Sequence, residues 1–105
     1  MFKKQDGEKT QLELIEPEFI MGLGDVLTFG AMKYAPRNWQ RAKPKDIERI
    51  KGAMLRHQMA YMSGELTDPE TGLSHLYHIT CNAMFLDYFD RMLAKVKCEQ
   101  DEYKG

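Results

Sequence analysis

The chain has 105 residues, a formal net charge of -1, 43% hydrophobic residues and 30% charged ones, enough for one small domain and too rich in both classes for a low-complexity disordered segment. The near-neutral charge and the lack of a DNA- or RNA-binding motif mean that nucleic acid is not expected as a partner, and two cysteines do not make a disulfide framework. No apolar run approaches the roughly 20 residues of a membrane span, and the polar start "MFKKQDGEKTQ" lacks the apolar core of a signal peptide. A soluble cytoplasmic protein with reduced thiols is the expectation.

Residues 1–11 read as a flexible tail, 12–97 as the folded domain and 98–105 as a frayed end. Within the domain, "PEFIMGLGDVLTFGAMKY" places apolar or small residues at helical spacing, with Pro17 suited to a first turn. "APRNWQRAKP" interrupts the pattern, and its two prolines bracket a loop holding the only Trp. A second helix is expected from about Asp46, with Ile47, Ile50, Met54, His57 and Tyr61 along one stripe and Gly64 as its stop. A third is expected from "DPETG", where Asp68 can cap, Pro69 fits the first helical position and Glu70 complements the dipole. The expected fold is all-α, a small helical bundle around a central antiparallel hairpin, completed by oligomerisation because so short a chain buries its apolar surface poorly.

Charge is distributed unevenly. From Pro36 to Gln58 seven basic residues face two acidic ones, whereas from Met59 onward eight acidic residues face four basic ones. A basic middle beside an acidic end suits a phosphorylated ligand held between cations and a carboxylate-bound metal, although each charge taken alone also reads as a solvated helix face. All three histidines, His57, His75 and His78, flank the turn between the second and third helices, which also holds Glu65, Asp68 and Glu70. His75, His78 and Asn82 follow i, i+3, i+7 spacing and share one face with Phe85, Phe89, Met92 and Val96. Imidazoles suit transition metals and carboxylates suit Mg²⁺ or Mn²⁺. Capping accounts for Asp68 and Glu70 equally well, and a zinc ion held structurally by the three histidines is a further possibility. In the first loop Tyr34 and Trp39 suit stacking on a base, Asn38 a base edge, and Lys33 or Arg37 a phosphate; a loop Trp also serves as a packing anchor.

Together, "VLTFGAMKYAPRNWQ", "RHQMAYMSGE" and "DPETGLSHLYHITCNAMFL" resemble the phage-associated dATP/dGTP diphosphohydrolase N-terminal domain family over roughly residues 10 to 90. That family is similar in role to the MazG-like all-α pyrophosphohydrolases. The resemblance implies hydrolysis of dATP or dGTP to the monophosphate and pyrophosphate with Mg²⁺ or Mn²⁺, by a dimer or tetramer. It also implies Glu65, His57 and His75 as catalytic candidates, and Glu65, Asp68, Glu70, His75 and His78 as candidate metal ligands. Lys33, Tyr34, Asn38, Trp39, Arg56 and Asn82 become nucleotide-binding candidates, with Arg56 and Lys33 on the triphosphate. The MazG-like signature of paired carboxylates one helical turn apart is replaced here by His57 on the second helix and His75, His78 and Asn82 on the third. That replacement leaves a non-catalytic nucleotide- or metal-binding module as the alternative.

Overall fold

Pro17 has no N–H to leave unpaired and opens α1 (Pro17–Lys33), while the Glu16 carboxylate accepts from Phe19 N–H at 2.9 Å. The computed structural model describes residues 9–33, 37–41 and 43–104, with the side chains of Lys33 and of residues 99–104 outside that description. The expectations for Tyr34 and for the Lys33 side chain therefore fall outside the described residues, as does most of the N-terminal tail. Short 3₁₀ turns at Leu12–Leu14 and Asn38–Arg41 precede α1 and α2.

Helix α2 (Pro44–Met62) also begins on a proline, and the Asp46 carboxylate accepts from Lys43 N–H at 2.9 Å. Its end follows from Gly64. That glycine has φ +104°, a conformation costly for residues with a Cβ, and it lets the chain fold back. Gly64 N–H then reaches Tyr61 O and Glu65 N–H reaches Ala60 O, both at 3.0 Å. This Schellman closure satisfies carbonyls the helix would leave open.

Helix α3 (His75–Lys104) is the common partner on which α1 and α2 both pack. Its start differs from the expectation. Asp68, Pro69 and Glu70 lie in a turn, and the cap is Ser74, whose Oγ accepts from Leu76 N–H at 3.1 Å. The linking loop is closed by a bridge between Thr67 and Ser74, by Asp68 N–H to Leu73 O at 2.8 Å and by His75 N–H to Leu66 O at 3.0 Å.

Phe19, early in α1, meets Tyr77, early in α3, edge to face at 5.6 Å. The approach is close: a Cβ on Gly22 would fall inside the Tyr77 ring. α2 runs back between them in sequence and forms an antiparallel hairpin with α3. The result is an all-α bundle in which, among the described residues, the buried apolar side chains are Val26, Cys81 and Phe89 and the buried polar one is His75. Trp39 closes this core from the loop, stacked on Phe85 at 4.5 Å and edge-on to Tyr88 and Phe89. Beyond Phe89 the apolar stripe of α3 loses its cover, and Met92, Leu93 and Val96 are exposed.

Candidate functional site

Because α1 and α2 each lean on α3, an open cleft of about 1130 Å³ remains between them. Its walls are the C-terminal half of α1 and the Asp46, Arg49, Ile50, Ala53 and His57 edge of α2; its floor is the His78, Cys81, Asn82 and Phe85 face of α3. That volume is at the upper end for a small-molecule site. Asp68, Glu70 and Thr71 close one end, and Arg37, Asn38, Trp39 and Arg41 close the other.

At the Asp68 end, three ligand-type side chains converge. His57, Asp68 and His75 bring one donor atom each to within 4.8 Å of one another. The Nδ1 atoms of His57 and His75 are 2.8 Å apart, and Asp68 Oδ2 is 3.7 Å from His57 Nδ1. Each group is held from behind. Asp68 Oδ1 accepts from the N–H groups of Glu70 at 2.7 Å and Thr71 at 3.2 Å, which leaves Oδ2 facing the imidazoles. His75, only 2% exposed, donates from Nε2 to Glu65 Oε1 at 2.7 Å, which leaves a lone pair on Nδ1. His57 lies flat on His78, with ring centroids 4.5 Å apart and planes 4° from parallel. His78 Nε2 is in turn 2.8 Å from the Thr71 hydroxyl, which also accepts from Leu73 N–H.

The local electrostatics favour neutral imidazoles beside an ionised carboxylate. Burial lowers the His57 pKa below its ordinary value, and His78, His75 and Arg56 add to the effect against the opposing pull of Asp68. Burial likewise lowers His78, with His75 adding and Asp68 and Glu70 opposing. Asp68 would rise on burial, but the two backbone N–H groups and the neighbouring His78 and His57 bring it below the usual carboxylate value. Neutral imidazole and ionised carboxylate are the forms that bind metals. The spacing suits one as well, since two donors at ~2.1 Å from a shared ion and at right angles lie roughly 3 Å apart. The donor set therefore fits a divalent cation.

The sequence candidates divide by position. His57, Asp68, Glu70, His78, Asn38, Trp39 and Asn82 all line the cleft, and His75 lies buried beneath His57. Glu65 touches His75 from the side away from the imidazole pair. His78 stands one ring removed from the three convergent donors. Arg56 is exposed and its guanidinium folds back over Gly52, away from the cleft. In its place the structure brings Arg37, Arg41 and Arg49 to the cleft, with Arg37 in the left-handed region at φ +59°. Helical spacing held a signal for one of these, because 46, 49, 50, 53 and 57 form a single face.

Comparison with known proteins places this geometry in context. The family model for the dATP/dGTP diphosphohydrolase N-terminal region matches residues 2–97. Over 83 residues the chain is 39% identical to a protein named dATP/dGTP diphosphohydrolase from Salmonella phage PMBT28, a match spanning 79% of this chain and 28% of that relative. No solved structure matches.

Proposed function

Since the chain belongs to the dATP/dGTP diphosphohydrolase N-terminal domain family, we propose that its cleft binds a purine deoxynucleoside triphosphate and hydrolyses it to the monophosphate and pyrophosphate, with a divalent cation at the His57–Asp68–His75 end. One observation carries this reading: a single cleft has three convergent metal-type donors at one end and Arg37, Arg41, Asn38 and Trp39 at the other, with Arg49 on its α2 wall. About 12 Å of helix axis separates His57 from Arg49, eight residues earlier on α2, and an arginine side chain bridges much of that distance.

When bound, such a cation polarises a phosphoryl oxygen and lowers the pKa of an attacking water. The remaining work falls to the protein's own groups. Arg49, with Arg37 and Arg41, offsets charge on the departing pyrophosphate. Glu70 lines the cleft beside Asp68, and we assign it the orientation of the attacking water. His78, neutral near pH 7 and hydrogen-bonded to Thr71, is suited to passing a proton. Asn38 and Asn82 offer hydrogen bonds to base or sugar, and Trp39 the wall against which a base rests. Glu65 moves from candidate ligand to support of His75.

The test is pyrophosphate release from dATP and dGTP with Mg²⁺ or Mn²⁺, and its loss in His75→Ala with the helical circular-dichroism signal retained. No release with either ion would sink the reading. The chain spans only 28% of its curated relative, which favours a second reading: a nucleotide-binding module whose chemistry lies in another part of the protein. Calorimetric binding of dATP without product formation would establish that alternative.

Association between copies forms part of the proposal. Leu55, Met59 and Met62 make an exposed stripe on the side of α2 away from the cleft, continued by Leu66. A second copy covering this stripe would take it out of water. A monomeric sedimentation mass at micromolar concentration would refute it. Among the described residues no helix is long and apolar enough to cross a membrane, and we assign the protein to the cytoplasm, where its substrate would be found.

A further inference from the structure

Resting on the reading of the cleft as a metal-assisted site, we propose that His57, Asp68 and His75 select a transition-metal dication of the Mn²⁺ to Zn²⁺ series over Mg²⁺, and that Glu65 is the positioning residue that makes His75 a ligand.

Selectivity follows from the donors. Mg²⁺ takes oxygen ligands almost exclusively and keeps much of its water, whereas imidazole nitrogen suits the later first-row metals. Two of the three convergent donors here are imidazole Nδ1 atoms, 2.8 Å apart, and only Asp68 Oδ2 is an oxygen. Two neighbouring carboxylates add little oxygen to that set. Asp68 spends Oδ1 on two backbone N–H groups, and Glu65 lies across the His75 ring from the donor pair.

The two imidazoles are prepared to different degrees. For His75, donation from Nε2 to Glu65 at 2.7 Å fixes the proton on that nitrogen and leaves Nδ1 as the lone-pair donor. His57 Nδ1, facing that lone pair at 2.8 Å, then carries the proton that bridges to His75 Nδ1. Binding asks His57 to move that proton to Nε2, so that the ion meets one Nδ1 lone pair from each imidazole; no net proton is gained or lost. A carboxylate behind a metal-bound histidine also fixes the orientation of its ring. His75 is buried and Glu65 about half exposed, so this support acts from the protein's surface inward.

Calorimetric titration of chelator-stripped protein with MnCl₂, CoCl₂ and MgCl₂, together with the Co²⁺ visible spectrum and ¹H–¹⁵N imidazole NMR, tests both parts. Expected are Mn²⁺ and Co²⁺ dissociation constants at least 100-fold below that for Mg²⁺, and an Nε2–H tautomer at His75. Glu65→Ala should weaken Co²⁺ binding on the order of 10- to 100-fold and mix the His75 tautomers, and Glu65→Gln, which keeps an acceptor, should restore the tautomer and part of the affinity. Equal affinity for Mg²⁺ and Mn²⁺ would overturn the selectivity. An unchanged tautomer and Co²⁺ affinity in Glu65→Ala would overturn the positioning role. Parallel assays separate this from the reading beneath it: the expected metal results without dNTP hydrolysis overturn only the activity, and hydrolysis that runs on Mg²⁺ and ignores Glu65 overturns only the metal assignment.

Discussion

The two ends of the cleft are built on opposite plans. At the Asp68 end every polar group is held by another: Asp68 by the Glu70 and Thr71 N–H groups, His75 by Glu65, and His78 by Thr71. At the Trp39 end the fixed element is apolar, an indole wedged against Phe85, Tyr88 and Phe89, while Arg37 and Arg41 are exposed around it. A metal tolerates little error in donor placement, so its site requires a locked shell. On the proposed function, a flexible triphosphate would be met by long side chains that adjust to it, around one rigid ring. The difference would then separate chemistry from capture within a single groove.

Substitutions should break that contrast in order. The largest effect is expected for Asp68→Ala, which removes both a donor and the anchor of the loop. Hydrolysis should fall on the order of 10³-fold or more, and Co²⁺ should no longer bind at micromolar concentration, read by calorimetry. Trp39→Ala should act through the fold instead. The loss of about 3 kcal/mol should lower the Tm by roughly 12–20 °C, while metal affinity measured well below the new Tm stays unchanged. A change in metal affinity as large as that of Asp68→Ala would show that the two ends are not separable. Arg49→Ala sits between them on α2, and because it offsets charge on the departing pyrophosphate it should lower kcat and kcat/KM for dATP together, each about 10-fold.

Smaller effects concern titration. In metal-free protein His57 and His78 have folded-state pKa values below the ordinary 6.5 of the unfolded chain. The unfolded chain therefore binds protons first, and this contribution to stability, complete above pH 6.5, is lost as the pH falls through 6.5 toward the folded values. Asp68, also lowered, adds a loss of the same sign further into acid. Urea unfolding at a series of pH values checks the direction; stability that rises between pH 7 and 5 contradicts it. The smallest effect is chemical. Burial pushes the Cys81 thiol up to about 12, whereas Cys98 is exposed. One thiol per chain should react quickly with Ellman's reagent and the second only on unfolding.

Much of this fold was legible along the chain. Helical periodicity marked three segments, Gly64 marked the end of α2, and i, i+3, i+7 spacing put His75, His78 and Asn82 on one face, where they are found. The start of α3 was misread for a definable reason. An Asp whose carboxylate accepts from N–H groups two and three residues later makes the same local contacts in a helix cap and in a turn. Asp68 makes them in a turn, and Ser74 caps the helix. Arg56 was the expected triphosphate contact and Arg49 was not singled out, and only the docking of α2 on α3 turns Arg56 to solvent and Arg49 to the cleft. Trp39 had two readings from its loop position. Its contacts with three aromatic rings make it a packing anchor, and its place on the cleft wall leaves it available to a base as well.

By itself the sequence determined what local forces determine: where helices form, where Gly64 stops one, and which residues share a face, because these depend on backbone geometry and on neighbours three and four positions away. The tertiary structure decided what depends on long-range docking. Packing α1 and α2 on α3 opened the cleft, set the His57 and His75 nitrogens 2.8 Å apart across 18 positions of chain, and turned Glu65 toward the far side of the His75 ring.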